Sequence, residues 1–239
     1  MTPKSKRKAV LFDLDDTIFD HRHCRREALT ALAQAYPAIA GHELRMMEAS
    51  HERHLQTTHA LLLDGGISLS EARHERMRRL FSDLGAVVSD SQLPGIENVY
   101  RNTYERSRRP VPGVISIITA LKKTLKIGIV TNGRVLEQEE KIRVCGLDGI
   151  IDVTVISEKA GVKKPSREIF HLALTELKVS AGEAVFVGDS WKNDVLGARS
   201  AGIPAVWFNR YDEMCPEPGS VEEVTSLEPV DRLFRILGG

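Results

Sequence analysis

The strongest constraint on this chain is a series of short apolar runs, each closed by a polar or acidic residue and followed by a helical stretch. The runs are Lys8–Phe12 ending in Asp13, Ile127–Val130 ending in Thr131, and Val153–Ile156 ending in Ser157. Ala184–Val187 follows, ending in Gly188-Asp189, and then Ala205–Phe208, ending in Asn209. They are rich in Val, Ile and Phe and show little alternation, which suits strands of a parallel sheet buried on both faces. Amphipathic helices are expected near 113–124, 135–145, 166–177 and 192–201, and Gly128 mildly weakens its strand. Strands alternating with helices of this length predict a doubly wound α/β fold. Ligands of such folds bind beyond the carboxyl ends of the strands. The acids and hydroxyls of this sequence stand at those ends.

One region breaks the alternation. From about 20 to 108 the sequence is helical in pattern, with periodic Leu, Ala and Met among many Arg, His and Glu. Leu29, Leu32 and Ala33 fit one helical face, as do Leu44, Met47 and Ala60–Leu63 in later segments. Asp64-Gly65-Gly66 and Leu93-Pro94-Gly95 read as breaks between helices. The domain reading is therefore a core of 1–19 and 109–239 with a helical insert at 20–108. Met214–Ser220 reads as a surface loop before a last helix at 231–237.

Composition narrows the class. Lys+Arg and Asp+Glu both total 33, giving a net charge of zero, which argues against a chain built to coat nucleic acid or an anionic membrane. The first apolar run stops at Asp13, and no later segment makes a signal-peptide core or a membrane span. Cys24, Cys145 and Cys215 are too few and too scattered for a disulfide framework or a zinc site. A cytoplasmic location is expected, as a monomer or homodimer.

Four segments carry chemistry. Asp13-Leu14-Asp15-Asp16-Thr17 directly follows a strand. A carboxylate there can attack phosphorus, and a second one two residues on can protonate the leaving oxygen and later deprotonate water. An acidic turn after a strand is also ordinary structure. Gly188-Asp189-Ser190 with Asp194 forms a hard-oxygen cluster that, with Asp13, could hold Mg²⁺, although Asp189 or Ser190 could equally cap a helix. Thr131-Asn132-Gly133 offers a hydroxyl beside backbone N–H groups for a phosphate oxygen, or a plain turn. Lys163-Lys164-Pro165 offers an ammonium to offset transition-state charge, or solvated surface.

Together, at separate strand–helix junctions and in this order, these segments resemble the haloacid dehalogenase superfamily of phosphatases. Asp13, Asp15 and Thr17 match its Asp-x-Asp-x-Thr motif, and Thr131 its strand-ending Ser or Thr. Lys164, beside Pro165, matches its lysine, and Gly188, Asp189 and Asp194 match Gly-Asp-x-x-x-x-Asp. The resemblance implies a Rossmann-like core with a helical cap inserted after the first motif. It makes Asp13 the nucleophile and a Mg²⁺ ligand, and Asp15 the general acid/base, binding metal through its backbone carbonyl. Thr131, Asn132 and Lys164 would hold the phosphoryl group with Asp13. Asp189 would bind the metal, with Asp194 supporting it through water or Lys164.

Within the family, dehalogenases lack the second aspartate, and this chain keeps Asp15. Phosphonatase-like members recruit a cap lysine, whereas residues 20–108 contain none. Sugar phosphomutases of the beta-phosphoglucomutase type remain the enzymatic alternative, although they usually carry Gly-Val where this chain has Asp16-Thr17. A non-catalytic phosphate-ligand binding protein is the alternative from another class. The expectation is a Mg²⁺-dependent phosphatase of a small phosphorylated metabolite, similar to the nucleotidases and acylneuraminate phosphatases. The cap would close over the site and contact the leaving group. His21, Arg22, His23 and Arg25 could face an anionic substrate there, or form a solvated helix face.

Overall fold

The computed structural model describes residues 6–63 and 66–237. Six parallel strands form one sheet in the order β3-β2-β1-β4-β5-β6. They are β1 (Ala9–Phe12), β2 (Lys126–Thr131), β3 (Val153–Ile156), β4 (Ala184–Gly188), β5 (Ala205–Phe208) and β6 (Glu222–Val224). Every residue of β1 is buried, as its uninterrupted apolar run requires of a central strand. The strand order reverses at β1, whose Phe12 lies opposite Ile129 on one side and Val187 on the other. The residues just past β1, β2 and β4 therefore emerge together at the switch point where such sheets take ligands.

The helices of this unit are α5 (Val114–Leu121), α6 (Val135–Val144), α7 (Ser157–Ala160), α8 (Arg167–Leu177), α9 (Leu196–Ser200) and α10 (Val230–Leu237). Ile169, Phe170 and Leu177 of α8 pack on Leu11, Phe186 and Trp207 of the sheet. Gly128, which weakened the strand on propensity alone, is needed by this packing. A Cβ there would lie 2.5 Å from Leu11 Cδ2 and 3.2 Å from Leu177 Cδ1. The expected helix at 192–201 is a π-type turn at Trp191–Val195 running into α9. β6 was not expected. It is a three-residue edge strand with two exposed glutamates, so neither length nor apolar pattern distinguishes it from the loop before it.

The chain forms two compact units, one made of the sequence up to Asp20 and from Arg109 onward, the other of His21–Arg108. In the first unit, the segments that leave and return run side by side. Phe19 and Pro110 form an antiparallel bridge, and backbone N–H groups donate from Asp20 to the Arg109 carbonyl (3.0 Å) and from Val111 to the Ile18 carbonyl (2.7 Å). The buried Asp20 carboxylate accepts from Arg109 Nε at 2.9 Å and from Arg210 Nη1 at 2.8 Å.

The second unit holds α1 (His21–Ala35), α2 (Leu44–Leu63), α3 (Leu69–Asp83) and α4 (Leu93–Arg106), with a 3-10 turn at Pro37–Ile39. Leu29, Leu32, Met47, Leu80, Phe81 and Ile96 form its core. Ser68 and Glu71 close a capping box at the start of α3. Of the expected break at Asp64-Gly65-Gly66, Asp64 and Gly65 lie outside the described residues, as do the side chains of Ala60 and Leu63. The break expected at Leu93-Pro94-Gly95 is instead the first turn of α4. A first-turn proline loses no helical hydrogen bond, so Pro94 starts a helix there rather than ending one.

Candidate active site

Past β1 the chain ties itself to the neighbouring strand and then curls. The Asp13 N–H donates to the Val187 carbonyl at 2.9 Å, while the Leu14 carbonyl accepts from Ile18 (2.9 Å) and Phe19 (2.8 Å). Asp16 adopts the left-handed conformation, φ 62°, which aspartate tolerates better than most residues. Leu14, Ile18 and Phe19 are buried by this turn. Asp13 is buried beneath it and Asp15 is half-buried.

Lys164, buried in the loop before α8, brings two of the motifs together. Its ammonium donates to Asp13 Oδ1 and, at 2.6 Å, to Asp194 Oδ1. Burial lowers the Lys164 pKa, but Asp13 and Asp194 outweigh it, and the group is raised above its ordinary value. Lys163, its neighbour, is exposed. The lysine is located by Asn132, whose side-chain amide donates to the Lys164 carbonyl at 3.0 Å and accepts from the Lys164 N–H at 2.8 Å. Thr131, at the end of β2, is buried.

Gly188 explains how Asp194 reaches this lysine. A Cβ at Gly188 would lie 2.5 Å from Asp194 Cγ, so the carboxylate occupies space that only glycine leaves. The π-type turn carries Asp194 inward, and the Ser190 N–H donates to Asp194 Oδ2 at 2.9 Å. π-Turns within helices often mark functional sites. The capping alternative also holds in part, since the Ser190 hydroxyl accepts from the Asn193 N–H at 3.2 Å.

Asp13, Asp189 and Asp194 each offer a carboxylate oxygen, and these lie within 4.8 Å of one another. Burial raises the Asp13 carboxyl, Lys164 opposes the rise and Asp194 adds to it, leaving the group at about 7. Asp189 is pushed well above the carboxylate range by burial and then by Asp13 and Asp194. Crowded hard-oxygen donors whose charges repel one another suit a small divalent cation such as Mg²⁺.

Two residues of α6 were absent from the motif reading. Lys141 Nζ donates to Asp15 Oδ1 at 2.7 Å and Oδ2 at 2.8 Å, and Gln138 Nε2 to Asp15 Oδ2 at 3.3 Å. Both are buried, on the same inward face as Ile142 and Cys145. Polar residues at core-facing helical positions were the available signal. In the second unit, Arg22 and Arg25 pair with Glu48 and Glu52 of α2, and His21 Nδ1 lies 2.6 Å from the Tyr104 hydroxyl.

Among the described residues no helix is long and apolar enough to cross a membrane. The haloacid dehalogenase-like hydrolase family profile matches residues 7–202. A glyceraldehyde 3-phosphate phosphatase of Methanopyrus kandleri is 32% identical over 96% of this chain and 95% of its own. The pyrimidine 5'-nucleotidase YjjG of Escherichia coli is 26% identical over 94% and 96%. The magnesium-bound crystal structure of the HAD-hydrolase YfnB from Bacillus subtilis superposes with a TM-score of 0.73 at 25% identity, covering 98% of this chain and all of that one. The chain belongs to the haloacid dehalogenase-like hydrolases, a family of enzymes.

Proposed function

We propose that the protein is a Mg²⁺-dependent phosphatase of small phosphorylated metabolites, working through an aspartyl-phosphate on Asp13. The observation that carries this reading is the convergence of Asp13, Lys164 and Asp194 at the switch point of the sheet, with Asp15 alongside. Asp13, Asp189 and the backbone carbonyl of Asp15 would hold the ion, with Asp194 supporting it through Lys164. Bound there, Mg²⁺ supplies charge neutralisation between an anionic nucleophile and an anionic phosphate.

The protein's own groups account for the rest. Asp13 attacks phosphorus, the ester P–O bond breaks, and Asp15 gives its proton to the leaving oxygen. Water then attacks the phosphoenzyme, Asp15 takes the water's proton, and the bond to Asp13 breaks to release phosphate. Lys164 steadies the phosphoryl oxygens while keeping Asp13 in line. Thr131 would contribute its hydroxyl. Because the Asn132 side chain is engaged with Lys164, its phosphate contact would come from the backbone N–H.

The named activities of the relatives point the substrate search towards triose phosphates and nucleoside monophosphates. The test is release of phosphate from p-nitrophenyl phosphate, glyceraldehyde 3-phosphate, pyrimidine nucleotides and beta-glucose 1-phosphate, with Mg²⁺ or with chelator. Mg²⁺-dependent release from at least one metabolite is expected. Isomerisation of the sugar phosphate instead would point to a mutase, and absence of turnover under every metal condition would point to a binding protein.

A further inference from the structure

The Asp15 carboxylate is gripped by two side chains of α6. Lys141 spans both its oxygens at 2.7 and 2.8 Å, and Gln138 reaches one of them at 3.3 Å. Neither partner is an incidental surface ion pair. Lys141 is only 8% exposed, and its ammonium lies 5.5 Å from the centroid of the buried Phe19 ring. Gln138 also donates to the Asn132 carbonyl at 3.2 Å and fills the space beside Gly133, where a Cβ would meet it at 2.1 Å. The helix that begins just after the candidate phosphate loop thus also holds the candidate acid/base.

We infer that Lys141 is a positioning residue for proton transfer by Asp15, with Gln138 as its auxiliary; the inference rests on the phosphatase reading above. A carboxylate that must give a proton in one step and take one in the next cannot use both oxygens for the substrate. If one oxygen stays hydrogen-bonded to Lys141 in both steps, the other is aimed at the leaving oxygen and then at the incoming water. Of the two contacts Lys141 makes, one persists when Asp15 is protonated, because the carbonyl oxygen of the acid still accepts from the ammonium. Lys141 therefore fixes direction, and the proton still travels between Asp15 and the reacting oxygens.

A residue that aims an acid matters most where the leaving group needs a proton. The test compares kcat/KM, which reports transfer to Asp13, for glycerol phosphate and for p-nitrophenyl phosphate in wild type, Lys141→Met, Lys141→Arg and Asp15→Asn. Alkoxide is a poor leaving group and p-nitrophenolate a good one. Lys141→Met should lower the alkyl-to-aryl ratio of kcat/KM by roughly tenfold or more, within the range of general acid catalysis, with Lys141→Arg recovering part of it. Because both substrates are measured on one sample, the ratio does not depend on how much of a variant is folded. An unchanged ratio in Lys141→Met, beside a lowered ratio in Asp15→Asn, overturns the positioning role alone. An unchanged ratio in Asp15→Asn removes the acid/base role and with it the reading on which this inference stands.

Discussion

Asp13 stands between opposing demands, because burial favours its neutral form while attack on phosphorus needs the carboxylate. Lys164 moderates the conflict without removing it, and the group stays near 7 rather than at the usual 3.8. Asp13→Asn should therefore lower turnover on the order of 10⁴-fold or more yet leave the melting temperature at pH 8 unchanged or raised. Phosphatase assays and thermal melts on the same preparation check both halves; appreciable residual activity would remove the covalent mechanism. Asp13, Asp15 and Asp189 could be picked out in the sequence because each closely follows a strand, and Lys164 because it stands beside Pro165 ahead of a helix. Gln138 and Lys141 were not, since their meaning depends on a partner more than a hundred residues away, and along the helix they look like ordinary polar residues.

Two glycines show what the elements demand. Gly128 lies in β2 under Leu11 and Leu177, and Gly188 ends β4 against Asp194. Gly128→Ala should cost about 1–3 kcal/mol by overpacking and change kcat little. Gly188→Ala meets the Asp194 carboxylate instead, proposed above to support the metal site, so turnover should fall at least roughly tenfold, as expected when a positioned group is displaced by about an ångström. Denaturant melts and steady-state kinetics on the two variants separate the effects, and equal loss of activity in both would contradict this assignment. The strands around these glycines were legible as unbroken apolar runs. The π-type turn at Trp191–Val195 was not, because nothing in a local pattern marks a helix that must widen to bring Asp194 inward. Pro94 was misleading for a related reason, since a proline ends a helix from inside and opens one from the first turn.

For the whole molecule, the carboxylate cluster makes stability depend on pH and metal together. A folded-state pKa raised from 3.8 to about 7 contributes stability below pH 3.8 that is lost as pH rises through 7. Metal-free protein should thus lose on the order of a few kcal/mol from Asp13 across that window, and Mg²⁺ should raise the melting temperature more at pH 8 than at pH 5. Asp20 and Glu183, whose pKa values are lowered, tilt the other way. The difference between wild type and Asp13→Asn reports Asp13 together with its push on Asp189, and an Mg²⁺ shift equal at both pH values would contradict the expectation. The joined backbones of Asp20 and Arg109 have a different consequence. The chain path of the sheet-bearing unit closes on itself there, so another segment whose ends lie a hydrogen bond apart could be spliced into the same socket without re-routing a strand.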